Sequence, residues 1–323
     1  MNRILTPIDE KNYAEIMEKE VEPSLSAIRK DGAFISFDGK RIHYEAHITE
    51  NAKAIIVISH GFTESAEKFR EMAYYFSKNG YSVFSVDHRG HGESYRIPGE
   101  PNTVKIGKFS DYVKDLNVFV NDVVKPLNPG LPMYLYSHSM GGAIAGRYIQ
   151  TYPEVFSKAI LSAPMICANT GMPIPLAKIL SALLCAVGAS NMSVPGRCEF
   201  NPDATYENSS DTSEARFNYY HAKKLKNPHL RTCGPSFGWV KEAMAVTNQL
   251  LDPENCKKIT AQVLIFQPET DQQVLSPYQD TFAEKIGARL IRVPGAKHEI
   301  YASTNDVLEK YLKDVFEFFD GES

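Results

Sequence analysis

Apolar and polar positions change rhythm repeatedly along the chain, and each change marks an element. Ala54–Ser59 (AIIVIS) is a short, uninterrupted apolar run. That is the pattern of a central strand covered on both faces. Tyr81–Asp87, Met133–Ser137, Lys158–Ser162, Gln262–Gln267 and Arg289–Val293 read as further strands. Helical spacing falls between and after them: Ala66–Asn79, stopped by Gly80; Asp111–Leu127, with Ser110 as its N-cap; Gly141–Thr151; Pro277–Ile286; and Asp306–Phe319. Strands alternating with helices predict an α/β fold, a mostly parallel central sheet with helices on both faces.

Two regions break this rhythm. The first thirty residues carry weak helical spacing (Ile16, Met17, Val21) that ends near Pro23, so residues 1–30 read as an N-terminal helical extension. A β-hairpin follows, with Ala33–Phe37 and Arg41–His47 alternating around Asp38-Gly39. From Pro164 to Asn255 the alternation is lost among prolines, Gly171, Gly188, Gly196 and the polar run Asn208–Ser213. This stretch either extends the core or caps the C-terminal edge of the sheet. An α/β sheet leaves its ligand site at that edge, which favours a cap. The expected division is a core of residues 31–163 and 256–323 with a helical cap insertion at 164–255.

Charge and composition narrow the function classes. Net charge is −4, from 39 acidic and 35 basic residues among 323, and the basic residues are scattered. No basic run recruits a nucleic acid. Ile174–Val187 is interrupted by Lys178 and is shorter than the ~20 residues of a membrane span. Met1–Glu20 is polar and acidic, without the apolar centre of a signal peptide. Cys167, Cys185, Cys198, Cys233 and Cys256 form no Cys-x-x-Cys pair and no zinc-type spacing. Dispersed cysteines in odd number fit a reducing compartment, and a cytoplasmic protein is expected.

The strongest chemical signal is Ser137-His138-Ser139-Met140-Gly141-Gly142, between a predicted strand and a predicted helix. A serine on so sharp a turn is pushed out above the sheet edge, where a substrate can reach it. Its hydroxyl is a weak nucleophile until a base takes its proton. His298 suits that role, since it follows a late strand and precedes the last helix. His60 and His138 touch strand ends and are expected to shape the loops around the site. The base needs an acid to fix its tautomer. Asp271 and Glu269 share the loop after Gln262–Gln267, and both are open. Two N–H donors must face the developing oxyanion: Met140, directly after the nucleophile, and Phe62, after Gly61 in the loop closing the first central strand.

These pieces together resemble the α/β-hydrolases of the monoacylglycerol lipase and lysophospholipase group, the serine aminopeptidase-like family. The matching motifs are His60-Gly61 followed by Glu64, Asp87-His88-Arg89-Gly90-His91-Gly92-Glu93-Ser94, the serine turn, Asp271-Gln272-Gln273-Val274 and Gly295-Ala296-Lys297-His298-Glu299. The resemblance implies the α/β-hydrolase fold and favours Asp271 over Glu269 as the acid. It also makes the Asp87–Ser94 loop a structural turn beneath the site. It implies a serine carboxylic-ester hydrolase for lipids with one acyl chain, lysophospholipid or monoacylglycerol, working without metal or organic cofactor. Ser137 stands where the family usually has glycine, and Ser65 where the lipase branch has histidine. The second departure leaves a small-ester or aryl-ester esterase as an alternative. A non-catalytic binding protein on the same fold is a third reading, against which the intact serine, acid and histidine argue.

Within Met172–Val187, the residues Ile174, Leu176, Ile179, Leu180 and Leu183 recur at largely helical spacing. Such a stripe either packs on the core or lines an acyl tunnel. The functional expectation is that these residues bind the acyl chain of a small amphipathic ester and touch a membrane surface transiently. Oligomeric state has no signature in the sequence.

Overall fold

The computed structural model describes residues 6–127, 130–196 and 199–321, which leaves Cys198 outside the described residues. Among these, eight strands form one sheet: β1 (Arg29–Ile35), β2 (Arg41–His47), β3 (Ala54–Ser59), β4 (Tyr81–Val86), β5 (Met133–His138), β6 (Lys158–Ser162), β7 (Gln262–Pro268) and β8 (Arg289–Val293). Their spatial order is β1-β2-β4-β3-β5-β6-β7-β8. β2 runs antiparallel to both β1 and β4, and all other pairs are parallel.

Alternate residues of one strand feed two separate cores. Ile55 and Val57 pack with the helices Phe109–Phe119, Met140–Thr151 and Phe237–Leu250 on one face. Ile56 and Ile58 pack on the other with Arg70–Lys78 and Asn305–Asp320. This two-sided burial is why the central strands read as continuous apolar runs. The helix Asn305–Asp320 buries Leu308, Tyr311, Leu312, Val315, Phe316 and Phe319, a stripe at steps of one, three and four.

Several boundaries differ from the sequence reading for local reasons. The helix expected from Asp111 begins at Phe109, because the Asp111 carboxylate accepts the Lys108 N–H at 3.1 Å; Ser110 lies inside the first turn and is not the N-cap. The same helix widens into a π-turn over Val120–Val124 before its last residues, Lys125–Leu127. The N-terminal region is helical from Glu10 to Ser26 and buries Tyr13, Met17, Val21 and Leu25. β1 then starts at Arg29, paired to His47.

Residues 164–255 contain the helices Ile174–Ala186, Glu214–Lys226 and Phe237–Leu250. The last packs into the core, where Leu250 Cδ2 lies 2.9 Å from a Cβ placed on Gly146 of the serine-bearing helix. Among the described residues no helix is long and apolar enough to cross a membrane.

Candidate active site

β5 ends at His138, and the chain turns at Ser139 with φ +52° and ψ −118° before the helix Met140–Thr151 begins. A positive φ is strained for serine and persists only where the surroundings enforce it. Here they do. Ser139 N–H donates to Ser162 O at 3.1 Å, and Met165 N–H donates to Ser139 O at 2.8 Å. A Cβ on Gly141 would lie 2.0 Å from Ser59 O, so only glycine lets this helix approach β3. Ser137 fits where glycine is usual, because its buried hydroxyl donates to Ile160 O at 3.0 Å.

Three loops at the C-terminal ends of β5, β7 and β8 converge. His298 Nε2 lies 2.8 Å from Ser139 Oγ, and His298 Nδ1 lies 2.8 Å from Asp271 Oδ2. The other carboxylate oxygen, Asp271 Oδ1, accepts the N–H groups of Gln273 and Val274 at 2.8 and 3.0 Å. The Asp271 side chain is fully buried. Glu269 is turned away from His298 and instead accepts the Gly295 N–H at 2.7 Å, shaping the turn that leads to the histidine.

Met140 follows Ser139 in the chain, and Phe62 lines the same cavity as Ser139. Gly61 passes so close that a Cβ there would sit 3.0 Å from Ser139 Cβ. Among the described residues neither the Met140 nor the Phe62 N–H has an acceptor. Beneath them the Asp87 carboxylate accepts the N–H groups of Ala66 and Glu93 at 2.8 and 2.9 Å, fixing the Asp87–Ser94 loop.

A buried ionic support under this site was not apparent from the sequence. The Glu64 carboxylate accepts from Gly61 N–H, from Tyr301 OH and from His138 Nδ1, the last at 3.1 Å. His138 Nε2 faces the backbone carbonyl of His298 at 3.2 Å. Both ring nitrogens of His138 thus face groups that only accept, which requires both to carry protons. Burial opposes that charge, but the Glu64 carboxylate outweighs it and raises the His138 pKa. Glu64 is held well below the usual carboxylate range, because His138 and Lys68 outweigh its burial. The pair ties the Gly61 loop to the His298 loop. Its signal in the sequence was faint: a histidine beside the nucleophile and a glutamate three residues after Gly61.

A cavity of about 320 Å³ opens at Ser139 and His298, walled by Phe62, Met165, Leu180, Trp239, Val240 and Val274 among others. Of the five cap residues expected to line it, Leu180 alone does, flanked by Ala177 and Ser181. Leu176, Ile179 and Leu183 are 52%, 59% and 61% exposed outside it, and Ile174 packs beside Cys167, Ala177 and Met244. The reason is steric. The helix Ile174–Ala186 lies against Phe237–Leu250 through its small residues, Ala177 and Ser181 being one turn apart and buried, so most of its larger side chains face outward.

Similar proteins are found by sequence and by structure. Lysophospholipase L2 of Escherichia coli (strain K12) is 28% identical over 309 residues, 90% of this chain and 88% of that protein. Monoglyceride lipase of Rattus norvegicus is 37% identical over 142 residues, 44% of this chain and 45% of its own. In structure, a soluble variant of monoglyceride lipase from Saccharomyces cerevisiae, solved with a substrate analog, superposes with a TM-score of 0.73 at 21% identity. It covers 91% of this chain and 94% of that one, which establishes the α/β-hydrolase fold. The sequence profile of the serine aminopeptidase S33 family (Hydrolase_4) matches residues 50–305, and the chain belongs to that family.

Proposed function

We propose that the protein is a serine hydrolase that cleaves carboxylic esters of lipids with a single acyl chain, lysophospholipid or monoacylglycerol, through an acyl-enzyme. One observation carries this reading: Ser139 Oγ lies within 2.8 Å of His298 Nε2 at the floor of a largely apolar cavity. Ser139 Oγ attacks the ester carbonyl while His298 takes its proton. Asp271 holds the ring so that Nε2 is free to accept, and it stabilises the imidazolium. The oxyanion is held by the Met140 and Phe62 N–H groups, which have no other acceptor. His298 then protonates the leaving alcohol, and water repeats the cycle on the acyl-enzyme. The chemistry calls for no cofactor. The names of the E. coli and rat relatives point to the same substrates.

The apolar cavity offers one slot, with Leu180 on its wall. The outward-facing Leu176, Ile179 and Leu183, with Val187 and Met192, form an exposed apolar face beside it. Such a face suits transient contact with a membrane surface, where amphipathic esters reside. Cys167, Cys185 and Cys256 are free thiols, which supports a cytoplasmic location.

The test is hydrolysis of an ester series of rising acyl length by wild type, Ser139→Ala and Leu180→Asp. Ser139→Ala loses turnover and fluorophosphonate labelling by roughly 10³-fold or more. In wild type kcat/KM rises with each methylene by up to ~0.8 kcal/mol until the slot is full, and Leu180→Asp flattens that rise. Near wild-type turnover in Ser139→Ala, or a flat length profile in wild type, refutes the assignment.

A further inference from the structure

A second cavity, of about 250 Å³, lies behind the catalytic histidine. Its walls come from the N-terminal helical segment, the loop 208–211, the helix Glu214–Lys226 and the residues after His298. It shares Ser210 and Glu299 with the apolar cavity, and these two residues form the partition: Glu299 N–H donates to Ser210 O at 3.1 Å. Glu299 directly follows His298. The leaving alcohol receives its proton from His298, one residue from this partition.

The charges there do not balance. Glu71 is matched by Arg216 at 2.7 Å, Glu67 by Lys223 at 3.0 Å, and Glu299 by Lys68. Lys224 alone has no carboxylate within ion-pair distance among the described residues; its ammonium stands 5.1 Å from the centre of the Tyr220 ring. Burial, and then repulsion from Lys68, hold its pKa down to about 8, the mark of a cation without a counter-charge. Beside it Asp211 is 5% exposed, and its Oδ1 has no partner among the described residues. Burial, and then the charge of Glu299, raise the Asp211 pKa well above the usual range. Its proton is shared in a hydrogen bond with the Glu299 carboxylate, which in turn holds the Glu299 pKa down. An uncompensated ammonium on the wall of a polar cavity suits an anion rich in acceptor oxygens.

We propose that this polar cavity binds the phosphate of a lysophospholipid head group, with Lys224 as its counter-charge, while the acyl chain lies in the apolar cavity. The inference rests on the lipid-esterase reading above. It predicts preference for a charged over a neutral head group at equal acyl length.

The experiment compares dodecanoyl lysophosphatidylglycerol with dodecanoyl monoglyceride, below micelle-forming concentrations, in wild type, Lys224→Met and Lys224→Arg. Glycerophosphoglycerol and inorganic phosphate serve as inhibitors of p-nitrophenyl butyrate hydrolysis. In Lys224→Met the ratio of kcat/KM for the phospholipid over the monoglyceride falls by about tenfold or more, through KM, as loss of a charged hydrogen bond dictates. Lys224→Arg keeps the ratio, and glycerophosphoglycerol inhibits wild type but not Lys224→Met. An unchanged ratio overturns the subsite, as does an equal loss on both lipids. Inhibition by inorganic phosphate that depends on Lys224, with the lipid ratio unmoved, assigns the cavity to free phosphate and overturns the head-group role. A wild type that cleaves p-nitrophenyl butyrate but neither lipid refutes the lipid reading itself.

Discussion

Asp271→Asn alters the most constrained point of the site while keeping its shape. The side chain is fully buried, and Oδ1 is already committed to the Gln273 and Val274 N–H groups at 2.8 and 3.0 Å. Asparagine must keep its carbonyl oxygen there, because the reversed amide would set its NH₂ against two backbone donors. The NH₂ then faces His298 Nδ1, which accepts, and the ring proton moves to Nε2. In that tautomer Nε2 donates to Ser139 Oγ across the 2.8 Å contact and cannot take its proton. The same change in a serine-protease triad lowers kcat on the order of 10⁴-fold. At 1.36 kcal/mol per decade that is about 5 kcal/mol of transition-state stabilisation. Glu269→Gln is the matched control, since glutamine still accepts from Gly295 N–H and the residue does not touch His298; its loss stays below about tenfold. Steady-state kcat on p-nitrophenyl butyrate, with urea unfolding of both variants to confirm the fold, decides the matter. Turnover of Asp271→Asn within tenfold of wild type, or a larger loss in Glu269→Gln, refutes the reasoning.

Two further predictions concern the frame. His47 is 1% exposed with neither ring nitrogen partnered among the described residues; burial, then Arg29 and Arg70, lower its pKa from 6.5 to about 4. Its neutral form therefore contributes stability that is complete above pH 6.5 and lost as pH falls towards 4, worth about 2 kcal/mol by pH 5. Urea unfolding at pH 7 and pH 5 should show a drop smaller by that amount in His47→Leu, and an equal drop in both proteins rejects it. Gly141→Ala sets a Cβ 2.0 Å from Ser59 O and should cost several kcal/mol or abolish soluble protein; a variant with wild-type unfolding midpoint and turnover contradicts the close approach.

The sheet could be read from the sequence because its central strands are buried on both faces, and the loops bearing Ser139 and Asp271 because each follows such a strand; His298 follows the edge strand β8. Features set by tertiary contact could not. The cap helix shows an apolar stripe, but its packing on Phe237–Leu250 turns Ala177 and Ser181 inward and leaves Leu176, Ile179 and Leu183 in solvent. The N-terminal helix buries Tyr13, Met17, Val21 and Leu25 at steps of four. On a regular α-helix such a stripe drifts about 40° per step, which blurs its signal. The π-turn at Met17–Val21 takes up the drift. Periodicity measured at 3.6 residues sees only part of it.

Buried charge is harder still to read, because every residue that forms it looks solvated in one dimension. Asp211 sits in a polar run and Lys224 at the basic end of an amphipathic helix, both ordinary surface compositions. They become interior because other segments close over them. Glu10 accepts from Ser213 Oγ at 2.6 Å and from Asn305 N–H at 2.9 Å, fastening the N-terminal segment across the start of the helix Glu214–Lys226. Tyr13 OH and Arg216 both donate to Glu71, at 2.7 Å each, and lock the same junction from inside. Residues 6–26 are thus part of the wall of the polar cavity, with Tyr13 and Met17 on its lining. A charge buried by three segments must be matched or neutralised where it stands. Lys68, Arg216 and Lys223 are matched by carboxylates and Asp211 shares a proton with Glu299, which leaves the Lys224 ammonium as the position where an incoming anion gains most.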